Sequence, residues 1–337
     1  MDPVTHGIIG ASASQSFSTQ KEHRYAAVTG LLAAMLADLD ILISDASDPL
    51  LNIEIHRQFS HSLIFIPVGA LLAAGILWWF MRQKISFKKV YLFSLLGYAT
   101  SGIVDSLTSY GTKLLWPFID ERFSWNIISV FDPLFSLGVL IAVGLAFYYS
   151  NNKIAQFAWA WMLLYLLFGM IQQERGKDVA KSLANQRNHQ IEELVVKPTI
   201  GNIFLWSIRY KTTDTLYADG LHLMSLTAPT IYEGSAAPLL DWKKKYRSYQ
   251  GTTLYNDIKR FDTLSDGYLI QHPEHPNIIG DGRYAMLPTA LNPLWGIKID
   301  TTNAEMHVPF KTFRNPTSNV RSNFLNMLLG RNHTFTR

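Results

Sequence analysis

The ionisable residues of the N-terminal half stand where a metal site would need them. His6, Asp38, Asp40, His56, His61, Asp105 and Asp132 each lie at the end of an apolar run. Four of the ten His fall in the first 61 residues, a stretch otherwise poor in charge. An ionisable group at membrane depth costs roughly 3 kcal/mol on insertion scales, so such groups tend to be functional. Imidazole and carboxylate together suit zinc, manganese, iron or nickel more than magnesium or calcium. A hydrolytic metal site leaves one coordination position to water, whose pKa the metal lowers toward ~7.

The strongest local piece is His56-Arg57-Gln58-Phe59-Ser60-His61-Ser62. Two His five residues apart do not share a helix face, so they converge only across a loop or a helix start. Two interfacial His with structural hydrogen bonds are the open alternative. Asp38-Leu39-Asp40 sets two carboxylates at a helix end, where they can share metal or where one can orient a ligating His. A solvated helix end is the plainer account. Asp105 opens Asp105-Ser106-Leu107-Thr108-Ser109-Tyr110-Gly111-Thr112. Asp132 precedes Pro133, where a lone Asp could simply cap a helix. His6 taken alone is more often structural than a ligand. Arg57, Lys113 and Arg122 could clamp an anion such as phosphate, or meet lipid headgroups.

Other chemistries have less support. The absence of cysteine excludes disulfides, Cys zinc sites and a thiol nucleophile. Ser62, Ser106 and Ser109 lack an elbow motif. His272-Pro273-Glu274-His275 reads as a turn, with no third ligand in view. The net charge of +4 does not argue for nucleic acid.

The elements that must carry these residues are membrane-like. Charged residues are 17% of the chain, against about 25% in soluble domains. Residues 1–171 hold 10 of the 30 Lys+Arg and 11 of the 26 Asp+Glu. Ser62–Met81 is uncharged over 20 residues, and about 20 such residues span a bilayer core. Further apolar runs lie at 25–43, 90–104, 133–149 and 154–171. A single run could be a buried core helix; so many in 150 residues point to a bundle. Pro3–Phe17 suits a helix packed against others. Alternating the spans places Lys21, Arg24, Arg82, Lys84, Lys88, Lys89 and Lys153 on one face, cytoplasmic by the positive-inside rule. The candidate ligands then gather on the outer face with everything after Ile171. No basic n-region with an apolar core precedes them, so no secretory signal is expected.

After Ile171 the chain turns polar. Gln172–Gln190 reads as a surface helix. Asn202–Tyr210, Leu216–Tyr217, Leu221–Ser225 and Gly267–Ile270 read as short strands. Ala218-Asp219-Gly220, Ser265-Asp266-Gly267 and Gly280-Asp281-Gly282 read as turns between them, and residues 316–331 as a closing helix. The expected architecture is an α-helical membrane bundle over 1–171, with about five spans plus an N-terminal helix. A smaller β-rich soluble domain over 172–337 follows it.

Taken in order, several pieces resemble the YdjM-like predicted membrane-bound metal-dependent hydrolases. They are Met1-Asp2-Pro3-Val4-Thr5-His6-Gly7, Ala37-Asp38-Leu39-Asp40, the His56–Ser62 and Asp105–Thr112 segments above, Trp116-Pro117-Phe118 and Val130-Phe131-Asp132-Pro133. The likeness covers most of residues 1–171 and extends to Val196-Lys197-Pro198 and Leu294-Trp295-Gly296-Ile297. It implies a membrane-bound, metal-dependent hydrolase with a distant similarity to zinc-dependent phospholipase C; the charge placement above makes it a multi-pass protein of the bacterial inner membrane with an extracytoplasmic C-terminal domain. The family usually has a His four residues before the Asp of its third motif; here that position is Ser101.

The leading expectation is a hydrolase using a divalent metal, zinc by preference, on a phosphoester or related bond of a lipid-like or phosphorylated substrate. His6, Asp40, His56, His61 and Asp105 are the expected ligands, Asp38 and Asp132 the catalytic carboxylates, and Arg57, Lys113 and Arg122 the substrate contacts. Membrane lipid is the expected partner. The alternative is a non-catalytic scaffold or pseudoenzyme with a vestigial site, which Ser101 favours. A transporter would place its carboxylates near mid-membrane rather than at one face.

Overall fold

The computed structural model describes residues 1–224 and 228–331. The end of the strand expected at Leu221–Ser225 lies outside the described residues. The chain forms two compact units. One comprises Met1–Ile43, Ile55–Ile171 and Ile200–Ile203. The other comprises Ser44–Glu54, Gln172–Thr199 and the chain from Phe204 onward.

The helices are α1 (Pro3–Ser16), α2 (His23–Leu36), the short α3 (Leu51–Ile55), α4 (Ile66–Met81), α5 (Phe87–Ser106), α6 (Pro133–Tyr149) and α7 (Asn152–Gln186). Three stretches among the described residues are long and apolar enough to cross a membrane: His23–Leu42, Leu63–Met81 and a window of Asn152–Gln186. That is fewer than the expected five or so. Pro133–Tyr149 is apolar but short. In α5, Ser94, Tyr98, Thr100 and Ser101 break the apolar run. Residues 172–186, read as a separate surface helix, continue α7 instead.

Asp2 caps α1 by accepting from the Thr5 amide at 3.0 Å, and Pro3 takes the first-turn position where its missing N–H is no loss. From Thr5 to Ser16 every residue of α1 is buried, with α2, α5 and α6 packed around it. The closest approach runs through glycines. A Cβ on Gly30 of α2 would overlap the Gly10 carbonyl and the Ser14 hydroxyl of α1, and one on Gly97 of α5 would overlap the backbone of Gly30. Small residues at such crossings let backbones touch where no hydrophobic drive separates helix from lipid. The polar atoms buried with them find partners: Ser14 Oγ donates to the Phe93 carbonyl at 2.8 Å and Ser12 Oγ to that of Ala155 at 3.0 Å.

The second unit is built on two antiparallel sheets. The first holds β1 (Glu193–Pro198), β2 (Leu205–Lys211), β3 (Thr215–His222), β4 (Thr230–Tyr232) and β5 (Ala236–Pro238), the last two both pairing with β3. After α8 (Trp242–Lys245) and α9 (Thr253–Leu264) comes a four-stranded meander of β6 (Leu269–Gln271), β7 (Ile278–Asp281), β8 (Trp295–Lys298) and β9 (Phe310–Thr312), then α10 (Ser318–Leu328). Ala218-Asp219-Gly220 is not a turn but the middle of β3. Asp219 tolerates the buried strand because Arg187 grips it with two nitrogens, at 2.7 and 3.0 Å, and the Gly234 amide adds a third donor. Ser265-Asp266-Gly267 does turn, with Asp266 and Gly267 at φ 47° and 70°.

Leu50 belongs to the core of this unit, fully buried with Ile258, Phe261, Ile279 and Ile297. Beside it, Arg260 of α9 donates to Asp48 at 2.8 and 3.1 Å, to Glu54 at 2.7 and 2.8 Å and to Asp257 at 2.8 Å. Arg260→Ala leaves these carboxylates facing one another. It is expected to cost about 3 kcal/mol, the low end for breaking a buried pair, because the cluster is partly exposed. Faster amide hydrogen exchange over 48–54 and 253–264 is the readout; unchanged exchange would refute the clamp.

Candidate metal centre

Where α1, α2 and α5 come together at one end, their polar residues meet. His6 stands one turn before Gly10 in α1. Asp38 lies in a 3-10 turn, Ala37–Leu42, that continues α2 beyond Gly30, and Asp105 is in the last turn of α5, beyond Gly97. The chain from 55 to 62 closes the group with His61, fully buried in a single 3-10 turn. Gly102 makes room for it, since a Cβ there would strike the His61 carbonyl.

His6, Asp38, His61 and Asp105 each offer a ligand atom, all within 4.8 Å of one another. His61 Nε2 is 3.3 Å from Asp38 Oδ1 and 3.2 Å from Asp105 Oδ2. His6 Nε2 is 3.1 Å from Asp105 Oδ1 and 3.8 Å from Asp38 Oδ2. Both oxygens of Asp38, Asp105 Oδ2 and His61 Nε2 are buried without a hydrogen-bond partner.

Asp40 explains that bareness. It accepts from the Ser60 hydroxyl at 2.5 Å, from the Arg57 amide at 2.9 Å and from His56 Nδ1 at 2.7 Å. With its proton given to Asp40, Ser60 Oγ accepts from His61 Nδ1 at 2.9 Å. That assigns the His61 proton to Nδ1 and leaves Nε2 a bare lone pair. A lone pair and two carboxylates converging on one point repel unless a cation lies between them. The donor set therefore fits a divalent ion bound by two imidazoles and two carboxylates. The cations that Asp105 does meet are the Met1 ammonium and Arg57, whose Nε is 2.9 Å from Oδ2.

Geometry redistributes the residues singled out from the sequence. Asp38 and Asp40 exchange places: Asp38 faces the cluster, and Asp40 lies behind it with His56. Asp132 stands apart from the cluster. It caps α6 through the Phe135 amide at 3.2 Å and accepts from the Tyr165 hydroxyl at 2.8 and 2.9 Å. Ser101 is buried one turn below Asp105, donating to the Ala34 carbonyl at 3.0 Å. Arg57, at φ 61°, is buried at the cluster with Nη1 free of hydrogen bonds. Arg122 donates to the His56 carbonyl at 2.9 Å and shares the Tyr110 ring with Arg57. Lys113 is tied to Asp120 at 2.7 Å. Ser60, which the sequence offers as a cap for the helix that follows, instead joins Asp40 to His61, and its place beside His61 is the signal for such a hydroxyl relay.

In a second unit cluster, Asp48, Asp257 and His307 also approach one another, but Arg260 already neutralises both carboxylates.

Residues 1–176 match a family model described as YdjM inner membrane protein. Inner membrane protein YbcI of Escherichia coli (strain K12) is 32% identical over 151 residues, which cover 43% of this chain and 82% of that protein. No solved structure matches. The helices with their His and Asp ends lie within the matched residues, and by this match the chain belongs to the YdjM inner membrane protein family.

Proposed function

We propose that this protein is a metal-dependent hydrolase acting on a phosphoester or related bond of a lipid-like substrate at the outer face of the inner membrane. The observation that carries the reading is the buried group of His61 Nε2, both Asp38 oxygens and Asp105 Oδ2, none of which has a hydrogen bond, with Arg57 Nε approaching Asp105 Oδ2 as an ion pair. His6, His61, Asp38 and Asp105 would hold the ion, whose chemistry would be to activate a water. His56 donates its Nδ1–H in a hydrogen bond to Asp40, which leaves the Nε2 lone pair to accept a proton in the reaction. Arg57 Nη1 meets the anionic group. Asp40 and Ser60 hold His56 and His61 in register.

Purified protein in phosphatidic acid vesicles is expected to release inorganic phosphate only with zinc present, and Asp38→Asn is expected to abolish release. Zinc bound without turnover on phosphoester lipids would favour the non-catalytic reading, for which Ser101, held by Ala34, is the supporting observation.

The site faces outward in this proposal, with five or so crossings and the C-terminal unit outside. Alkaline phosphatase fused after Gln190 should be active and a fusion at Lys84 silent. The reverse pattern would move the site to the cytoplasm.

A further inference from the structure

Beside the cluster, the start of α1, the outer half of α2 and the inner half of α4 enclose a groove of about 520 Å³. Its walls are Leu32, Met35 and Leu36 from one side and Ile76 and Leu77 from the other. One end is different in kind: Asp38, His56 and Arg57 line it. From Leu32 to Asp38 the wall runs about 9 Å at 1.5 Å per residue. The apolar surface continues outward, since Leu71, Leu72 and Ile76 of α4 are all more than half exposed. In a membrane protein that surface meets lipid tails.

We infer that this groove seats one hydrocarbon chain of a membrane lipid whose anionic head lies at Arg57. The inference rests on the hydrolase reading for the fate of that head. A soluble phosphoester would leave the apolar walls unfilled, whereas a lipid matches both parts. Its chain lies against Leu32 and Ile76, and its head meets a guanidinium with a free donor, Arg57 Nη1, beside the His/Asp cluster. Moving a chain from bilayer to groove gains little hydrophobic free energy, because both surroundings are apolar. The groove therefore supplies position rather than affinity. It holds the chain so that the head arrives at the cluster and not elsewhere along the bundle.

The test uses phosphatidic acid with a diazirine at the end of one acyl chain, in phosphatidylcholine vesicles holding the full chain. Photolabelling is expected to concentrate at 32–36 and 76–77. Ile76→Trp fills the groove and should reduce that labelling by about tenfold, the scale of an overpacked site. Leu32→Trp, from the opposite wall, should match it. Leu140→Trp, on the exposed side of α6, should change nothing. Label spread evenly over α4, α6 and α7, or indifferent to both groove variants, would overturn the inference. Zinc binding measured on the same samples separates the two proposals. Groove labelling without zinc binding removes the hydrolase reading and leaves the chain site standing. Zinc binding without groove labelling does the opposite.

Discussion

Replacing His61 by alanine is expected to lower zinc affinity by more than about 100-fold, the upper end seen when residues behind a ligand are changed. His6→Ala should behave alike. Asp40→Asn and His56→Ala belong to the layer behind and should cost about 10–100-fold, because they loosen the ligands without removing one. Competition with a chromogenic chelator, followed by metal analysis of dialysed protein, gives the ranking. The order matters as much as the size. Asp40 was the expected ligand from the sequence, but its oxygens are taken by Ser60, His56 and the Arg57 amide, while those of Asp38 are free. Asp38→Asn should therefore weaken zinc more than Asp40→Asn. If His61→Ala binds zinc as the parent does, the cluster is not a metal site.

Gly30→Ala is the smallest change expected to have a global effect. The added methyl would overlap the Gly10 carbonyl and the Ser14 hydroxyl together, and Gly97 of α5 already lies against Gly30 from the other side. A rotation of the Ser14 hydroxyl cannot relieve it, since the Gly10 carbonyl is backbone and the Ser14 Cβ is fixed to the helix. The cost is set at about 3 kcal/mol, the upper end for overpacking. Because α1, α2 and α5 each carry a member of the cluster, spreading them should also reduce zinc occupancy. Gly75→Ala is the control, as a Cβ there meets nothing within 4 Å. Heated detergent samples followed by size exclusion report the difference. Equal survival of the two variants would show that the crossing has slack.

The convergence of His6, His61 and Asp105 was legible because each sits at the same end of a separate apolar run, and cost at membrane depth made the coincidence informative. What the pattern could not resolve was which of Asp38 and Asp40 faces inward. Beyond Leu36 the chain tightens from an α-helix to a 3-10 turn, and the change of period reassigns the faces. Asp132 misled for the opposite reason. A capping Asp before Pro133 and a site carboxylate look the same in sequence, and only the Tyr165 hydroxyl distinguishes them. In the C-terminal half, local turn chemistry at Ala218-Asp219-Gly220 was outweighed by Arg187, which comes from a distant helix. Helix α9 escaped notice, although its Leu254, Ile258 and Phe261 share one buried face at helical spacing.

The placement of Leu50 has a topological consequence. The chain passes out of the first unit after Ile43 and returns at Ile55, so the link between Asp40 and His56 is stitched into the core of the other unit. Asp40 and His56 hydrogen-bond to each other across that excursion, closing a ring of chain whose far side is Leu50, with Asp48 and Glu54 of the ring held by Arg260. Loosening the core around Leu50 lengthens the free part of this ring, and the entropy of closing a loop grows with its free length. The loop that the Asp40–His56 pair must close is thus shortened by as many residues as the core around Leu50 holds fixed, as a drawstring is shortened by the cord withheld from it.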